Sequence, residues 1–223
     1  MKVVAIIQAR MGSSRLPGKV LRTLGGVTVL AHVIDRAMAV PSIDEVVVAT
    51  SSQRQDDPVE KEARRCGAGV FRGSETDVLS RYYEAARLFN ADVIVRITSD
   101  CPLLDTDLVE QMISRFNTSR RGGKKLDYLS NALTRSYPRG LDVEVFTLAA
   151  LENSHLAAKQ THEREHVTPY IYQHPGSFAI EEFVGDRDFS SHRWTLDTPE
   201  DYEFLQAIFD LLGVAAKSAG MYI

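Results

Sequence analysis

The apolar run Val3-Val4-Ala5-Ile6-Ile7 gives way at once to Gln8-Ala9-Arg10-Met11-Gly12-Ser13-Ser14-Arg15-Leu16-Pro17-Gly18-Lys19. This junction constrains the fold more than any other stretch. A short apolar run bounded by turn residues reads as a buried first strand. The ten residues from Arg10 to Lys19 then hold three cations, two glycines, two serines and a proline. In an open α/β sheet, the loop beyond the carboxyl end of the first strand is where ligands bind. Glycine lets backbone N–H groups come close to a ligand, and the cations neutralise a polyphosphate. The loop reads as a triphosphate cradle; the competing reading is a surface turn with solvated cations. A Walker loop is excluded. It needs four residues between its glycines and a Ser or Thr after the lysine, whereas five separate Gly12 from Gly18 and Val20 follows Lys19.

The rest of the first half supports a sheet of that kind. Strand patterns fall at 3–7, 45–50, 70–71 and 92–97. Helical spacing covers 30–38, 56–66, 78–89 and 106–116. This βα alternation predicts an α/β, Rossmann-like fold with a mostly parallel central sheet and helices on both faces. After Arg120 the pattern loosens. Residues 120–125 read as an exposed basic turn, 127–131, 143–146 and 177–183 as strands, and 147–159 and 161–173 as helices. The last helix spans 198–212, capped by Asp197 or Thr198 with Pro199 in its first turn. No repeat or linker divides the chain, so 1–223 reads as one domain, with 126–174 an elaboration for sugar binding or a subunit contact.

Composition narrows the class. The chain has 223 residues, 44% hydrophobic and 25% charged, an ordinary globular balance. A net charge of −4 argues against broad nucleic-acid binding. No apolar run has membrane-spanning length, and Met1-Lys2 leads into a strand rather than a signal peptide. Cys66 and Cys101 make no disulfide framework. A cytoplasmic protein with reduced thiols is expected.

Two aspartates are candidate metal ligands. Asp100 follows the strand at 92–97, at the same end of the sheet as the first loop. Mg²⁺ takes one or two carboxylates together with phosphate oxygens; the alternative is an aspartate opening a turn before Pro102. Asp197 lies in Leu196-Asp197-Thr198-Pro199-Glu200-Asp201, which is equally an ordinary helix start.

Ala9-Arg10-x-x-Ser13-x-Arg15-Leu16-Pro17-Gly18-Lys19 and the late Leu196-Asp197-Thr198-Pro199-Glu200-Asp201 resemble the signatures of the sugar cytidylyltransferases. That family makes CMP-activated acidic sugars such as CMP-KDO and CMP-sialic acid, and the likeness is greatest to its spore coat polysaccharide branch. The resemblance runs from Val3 to Asp201. It implies the nucleotide-diphospho-sugar transferase fold, CTP and a sugar as partners, Mg²⁺ as cofactor held by Asp100 and Asp197, and a homodimer. Arg10, Arg15 and Lys19 would hold the phosphates. Gln8, Ala9, Gly12, Ser13, Ser99 and the turn Arg72-Gly73-Ser74 would complete the nucleotide site, the last near the base or ribose. Ser99 stands where the KDO branch has glycine, which leaves the metal role intact and alters nearby contacts.

The strand Arg139-Gly140-Leu141-Asp142-Val143-Glu144 puts Asp142 and Glu144 on one face. Two such carboxylates are commonly just solvated, but the resemblance sets this segment beside the sugar pocket. His162-Glu163-Arg164-Glu165-His166 matches the zinc-peptidase helix pattern. Pro169 must end or kink that helix, and no downstream ligand is recognisable, although His174, Glu181 and Glu182 stay open. The resemblance instead places Arg164 and His166 on the sugar side or at a subunit contact. Arg139, His162, Arg164 and His166 are candidate partners for a sugar carboxylate. The remaining alternatives are a glycosyltransferase of related fold and a nucleotide-binding relative without chemistry.

Overall fold

The structure is a computed structural model and describes residues 1–212; residues 213–223 of the expected 1–223 span lie outside the described residues. The chain opens with β1 (Val3–Gln8), the short hairpin β2 (Thr23–Leu24) and β3 (Val27–Thr28), and α1 (Val29–Met38). There follow β4 (Glu45–Ser51), α2 (Asp57–Arg65), β5 (Gly69–Gly73), α3 (Val78–Leu88), β6 (Val93–Thr98) and α4 (Thr106–Arg121). The second part comprises β7 (Tyr128–Ser130), β8 (Glu144–Thr147), α5 (Leu148–Ala157), α6 (Thr161–His166), α7 (Pro169–Tyr172), β9 (Ile180–Glu182) and α8 (Pro199–Leu212).

One sheet of seven strands has the order β5-β4-β1-β6-β8-β7-β9. β5, β4, β1 and β6 run parallel, β8 is antiparallel to both of its neighbours, and β9 is parallel to β7. The expected mostly parallel sheet with helices on both faces is present. Along β1, Val3, Ala5 and Ile7 pack with α1, α2 and α4, while Val4 and Ile6 pack with α3 and α5. Alternation with both sets buried is the signature of a strand covered on two sides. The chain leaves β1 toward β4 on one side and β6 lies on the other, so the order reverses between β1 and β6. Crevices at such reversals bind ligands in open α/β sheets.

Two expectations for the second half need correction, and one element of the first half was not foreseen. The helix expected over 161–173 is two helices, α6 and α7. Val167 between them has φ 75°, and Pro169 has no N–H to continue a helical ladder. The basic turn expected at 120–125 begins late, because α4 runs on to Arg121. Arg120 donates to the Leu126 carbonyl at 2.6 Å and lies over the Phe116 ring, so it is packed rather than solvated. The hairpin β2–β3 carries no pattern long enough to read in sequence. Among the described residues, no helix is long and apolar enough to cross a membrane.

Candidate active site

The first loop is held from below. The Met11 N–H donates to Asp56 at 2.7 Å, and Ser51 donates to the other oxygen of the same buried carboxylate. The Lys19 end is tied back by Gly18 N–H to the Met11 carbonyl at 3.1 Å, with Gly18 at φ 68°, a left-handed conformation that suits glycine. Leu16 anchors the loop in a cluster with Leu24, Leu196, Leu205 and Phe209. The loop's polar residues are thereby left facing a cleft of about 360 Å³. Gln8, Ala9, Arg10, Gly12, Ser13, Arg15 and Lys19 line it from the first strand and loop, and Ser99, Asp100 and Asp197 from the other two segments.

Lys19 is the centre of this arrangement. Its Nζ donates to Asp100 Oδ2, to Asp197 Oδ1 and to the Leu196 carbonyl, each at 2.8 Å. Burial disfavours the ammonium, but Asp100 and Asp197 outweigh it and raise the Lys19 pKa. For Asp197, burial pushes the carboxyl upward, yet Lys19, Arg193 and Arg15 hold it below the usual carboxylate range. Arg15 stands 3.3 Å from Asp197 Oδ1, and Arg193 donates to Asp197 Oδ2 at 2.9 Å.

The helix-cap reading of Asp197 is now decided. Thr198 Oγ1 accepts from the Asp201 N–H at 3.2 Å, and Asp201 accepts in return from the N–H groups of Thr198 and Asp197. Thr198 and Asp201 form the reciprocal cap of α8, which leaves the Asp197 carboxylate to the cleft. Asp100 does more than open a turn. Its carbonyl accepts from Leu196 N–H at 2.8 Å, joining the two metal-candidate segments, while its carboxylate meets Lys19.

A second cavity of about 240 Å³ adjoins the first, and Thr98 and His166 line both. Asp142 and Glu144 both line it, together with Tyr128, Thr168 and Tyr172, although Asp142 lies before β8, so the two do not share a strand face. Glu144 is buried and accepts from Arg96, from Tyr128 and from Thr168, the last at 2.6 Å. Its lone pairs organise the wall rather than stand free for a hydroxyl. Asp142 pairs with Arg135 and is the more exposed of the two.

Several expected residues lie elsewhere. Arg72 donates to Asp57 at 2.6 Å, to Glu60 at 2.9 Å and to the carbonyls of Ser51 and Gln53. Gly73 closes β5, and Ser74 Oγ accepts from the Asp77 N–H. None of these three lines the cleft. Arg164 forks onto Asp77, the N-cap of α3, and donates to the His155 carbonyl at 2.7 Å. Arg139 bridges Arg193 through its backbone, and His162 meets Gln173. Of the four side chains expected to meet a sugar carboxylate, His166 is the one that lines the cavities. The zinc-peptidase reading fails on geometry. Glu163 is buried, and its carboxylate accepts from the N–H groups of Lys159 and Gln160 at the start of α6. Among the described residues, no group of three His, Cys, Asp or Glu is placed to hold a metal. Mg²⁺, which fills its shell from one or two carboxylates plus phosphate and water, does not need one.

Sequence reasoning missed Arg81, Arg96 and Tyr128. Arg81 lines the cleft and donates to the Ser74 carbonyl at 2.8 Å. It sits one turn after Val78 on an apolar helical stripe, and a cation there was the available signal. Arg96 interrupts the apolar strand β6 in the same way.

A cationic loop facing an aspartate pair, at the strand-order reversal of a mostly parallel sheet, defines an α/β enzyme that handles nucleotides. A family model described as cytidylyltransferase matches residues 4–218, and the chain belongs to that family of nucleotidyltransferases. The spore coat polysaccharide biosynthesis protein SpsF of Bacillus subtilis (strain 168) is 36% identical over 95% of this chain and 88% of its own. The solved cytidylyltransferase of Leptospira borgpetersenii serovar Hardjo-bovis (strain JB197) is 35% identical over 100% of both chains, with a TM-score of 0.88. A CMP:2-keto-3-deoxy-manno-octonic acid synthetase solved with CTP shares the fold, with a TM-score of 0.73 at 21% identity over 95% of this chain and 99% of its own.

Proposed function

We propose that this protein transfers CMP from CTP to a hydroxyl of an acidic sugar, releasing pyrophosphate, with Mg²⁺ as cofactor. The observation that carries the reading is the convergence of Asp100 and Asp197 on one nitrogen, Lys19 Nζ, at 2.8 Å each, inside a cleft walled by Arg10 and Arg15. Two carboxylates close enough to share an ammonium are close enough to share a divalent cation, and oxygen donors are what Mg²⁺ takes. When bound, that ion polarises the α-phosphate and favours ionisation of an attacking hydroxyl.

The chain's own residues supply the rest. Arg10, Arg15 and Lys19 hold the β- and γ-phosphates and stabilise the charge that gathers on departing pyrophosphate. Gln8, Ala9, Gly12, Ser13 and Ser99 shape the nucleotide wall. The second cavity receives the sugar, because it opens onto the first through Thr98 and His166 and so brings a hydroxyl alongside the α-phosphate. Asp142 accepts from sugar hydroxyls, and His166 pairs with the sugar carboxylate. Residues 126–174 form an elaboration of a single nucleotidyltransferase domain, and a homodimer follows from the family resemblance. Likeness to SpsF supports a product destined for a surface or spore coat polysaccharide. The free thiols Cys66 and Cys101 fit a cytoplasmic setting.

The test is a thermal-shift comparison of CTP, UTP, GTP and ATP with and without Mg²⁺, followed by pyrophosphate release with acidic and neutral sugars. CTP-selective, Mg²⁺-strengthened stabilisation and pyrophosphate release with an acidic sugar are expected. Equal shifts with all four nucleotides would overturn the donor assignment, and release with neutral sugars alone would overturn the acceptor.

A further inference from the structure

Lys19 has three donors, and all three are occupied, by Asp100, Asp197 and the Leu196 carbonyl. Its side chain is only 12% exposed. The ammonium therefore cannot touch a phosphate while keeping every bond it now makes. Arg15 also pairs with Asp197, but its side chain is 63% exposed. The cations suited to the triphosphate are the same cations that cover the two carboxylates.

We propose that Lys19 is a built-in counter-cation that shields Asp100 and Asp197 from free divalent metal until a triphosphate draws it away, so that nucleotide binding opens the metal site. This rests on the reading of the two aspartates as metal ligands. A divalent ion arriving alone must displace the ammonium and then sit beside it in a half-buried cleft, where like charges repel strongly. A triphosphate removes that conflict. Each Lys19 donor that turns from an aspartate to a phosphate oxygen uncovers a carboxylate oxygen, and the phosphates supply the remaining metal ligands. By linkage, the metal must strengthen nucleotide binding by the same factor as the nucleotide strengthens metal binding. Arg193 keeps Asp197 aimed throughout, because its other contacts are to Asp201 at 2.9 Å, on α8 rather than in the cleft.

The experiment is Mn²⁺ binding to the full chain without nucleotide, read as free Mn²⁺ by electron paramagnetic resonance. Wild type, Lys19→Gln, Lys19→Arg and the double variant Lys19→Gln/Asp197→Asn are compared, each checked for a cooperative thermal transition. Lys19→Gln should bind Mn²⁺ roughly tenfold tighter or more than wild type, within the usual span of coupling between sites. Lys19→Arg should bind as weakly as wild type, and the double variant should lose the gain. Binding by Lys19→Gln no tighter than wild type would overturn the proposal. A separate measurement guards the underlying reading: water-proton relaxation of Mn²⁺ with CTP and wild type, against Asp100→Asn. A ternary enhancement that Asp100→Asn abolishes keeps the metal site, so that failure of the Lys19→Gln arm then counts against the shielding alone. A ternary signal unchanged in Asp100→Asn would overturn both.

Discussion

Arg96 on β6 and Glu144 on β8 are register partners across the antiparallel step of the sheet, and their side chains form an ion pair that is almost wholly buried. Arg96 also donates to Gln8 at 3.2 Å, so one guanidinium ties the acceptor-side wall to the floor of the nucleotide cleft. Removing one member of such a pair strands the other charge in a poor dielectric, at a cost of about 3–5 kcal/mol. Arg96→Met should lose about that much in urea unfolding. Adding Glu144→Gln should recover part of it, since a neutral amide needs no counter-charge and still accepts from Tyr128 and Thr168. A double variant no more stable than Arg96→Met would contradict this account.

The Lys19 side chain should matter to the reaction as well as to the metal. Lys19→Ala should lower kcat/KM by about 3 kcal/mol of transition-state stabilisation, the range found when one donor to a developing oxyanion is lost. Steady-state pyrophosphate release measures it, and turnover near that of wild type would sink the phosphate role.

Asp201 carries a pH signature. Burial raises its carboxyl, but Arg193 and the N–H groups of Asp197 and Thr198 more than compensate and bring it down to about 2. A carboxyl depressed in the folded state adds stability above its unfolded pKa of about 4, and that stability is lost as pH falls through the folded value. The unfolding free energy of wild type should exceed that of Asp201→Asn at neutral pH. The gap should close between about pH 4 and pH 2. A gap constant across that range would show that the ionised form is not what stabilises the cap.

Gly140 sits at φ 106°, and a Cβ there would lie 2.6 Å from the Trp194 carbonyl carbon. Its neighbour Arg139 bridges Arg193, so this close approach brings the segment leading through Asp142 into β8 against the segment carrying Asp197. Gly140→Ala combines backbone strain of about 1–3 kcal/mol with a direct clash. A lower melting temperature and weakened Mg²⁺ dependence should appear together, and a variant with the wild-type melting temperature would refute the contact.

His166 borders both cavities, so its loss should be felt at the acceptor. His166→Ala should raise KM for an acidic sugar more than KM for CTP, and by less for the same sugar with its carboxylate reduced to an alcohol. Equal effects on the two sugars would remove His166 from carboxylate recognition.

The parts of the fold legible in sequence were those written in local pattern. Val3 to Ile7 alternates between two buried faces, and helical spacing marks α1 and α3, so the parallel half of the sheet follows. The first loop and Asp100 stand out as candidates because residue type and place along the chain coincide there, whereas Asp197 stands out through the family resemblance. What stayed hidden depends on partners far apart. Nothing near Arg164 says that Asp77 takes its guanidinium, and Arg72 looks free until α2 turns Asp57 and Glu60 toward it. Glu144 reads as a solvated carboxylate because Arg96 and Tyr128 reach it only once β6, β7 and β8 align. The end of α6 was signalled by Pro169, but the left-handed conformation at Val167 was not.

The single reversed strand, β8, divides the labour of the sheet. On one side lie the parallel strands that carry the nucleotide loop, and on the other a short edge of β7 and β9 with the helices α5 to α7 packed nearby. Thr98 and His166, which line both cavities, and the Arg96 bridge from Glu144 to Gln8 span the boundary. On the proposed assignment, rewriting the far edge would exchange one acceptor for another with the donor half kept intact, much as a tool changes its bit while its handle stays the same.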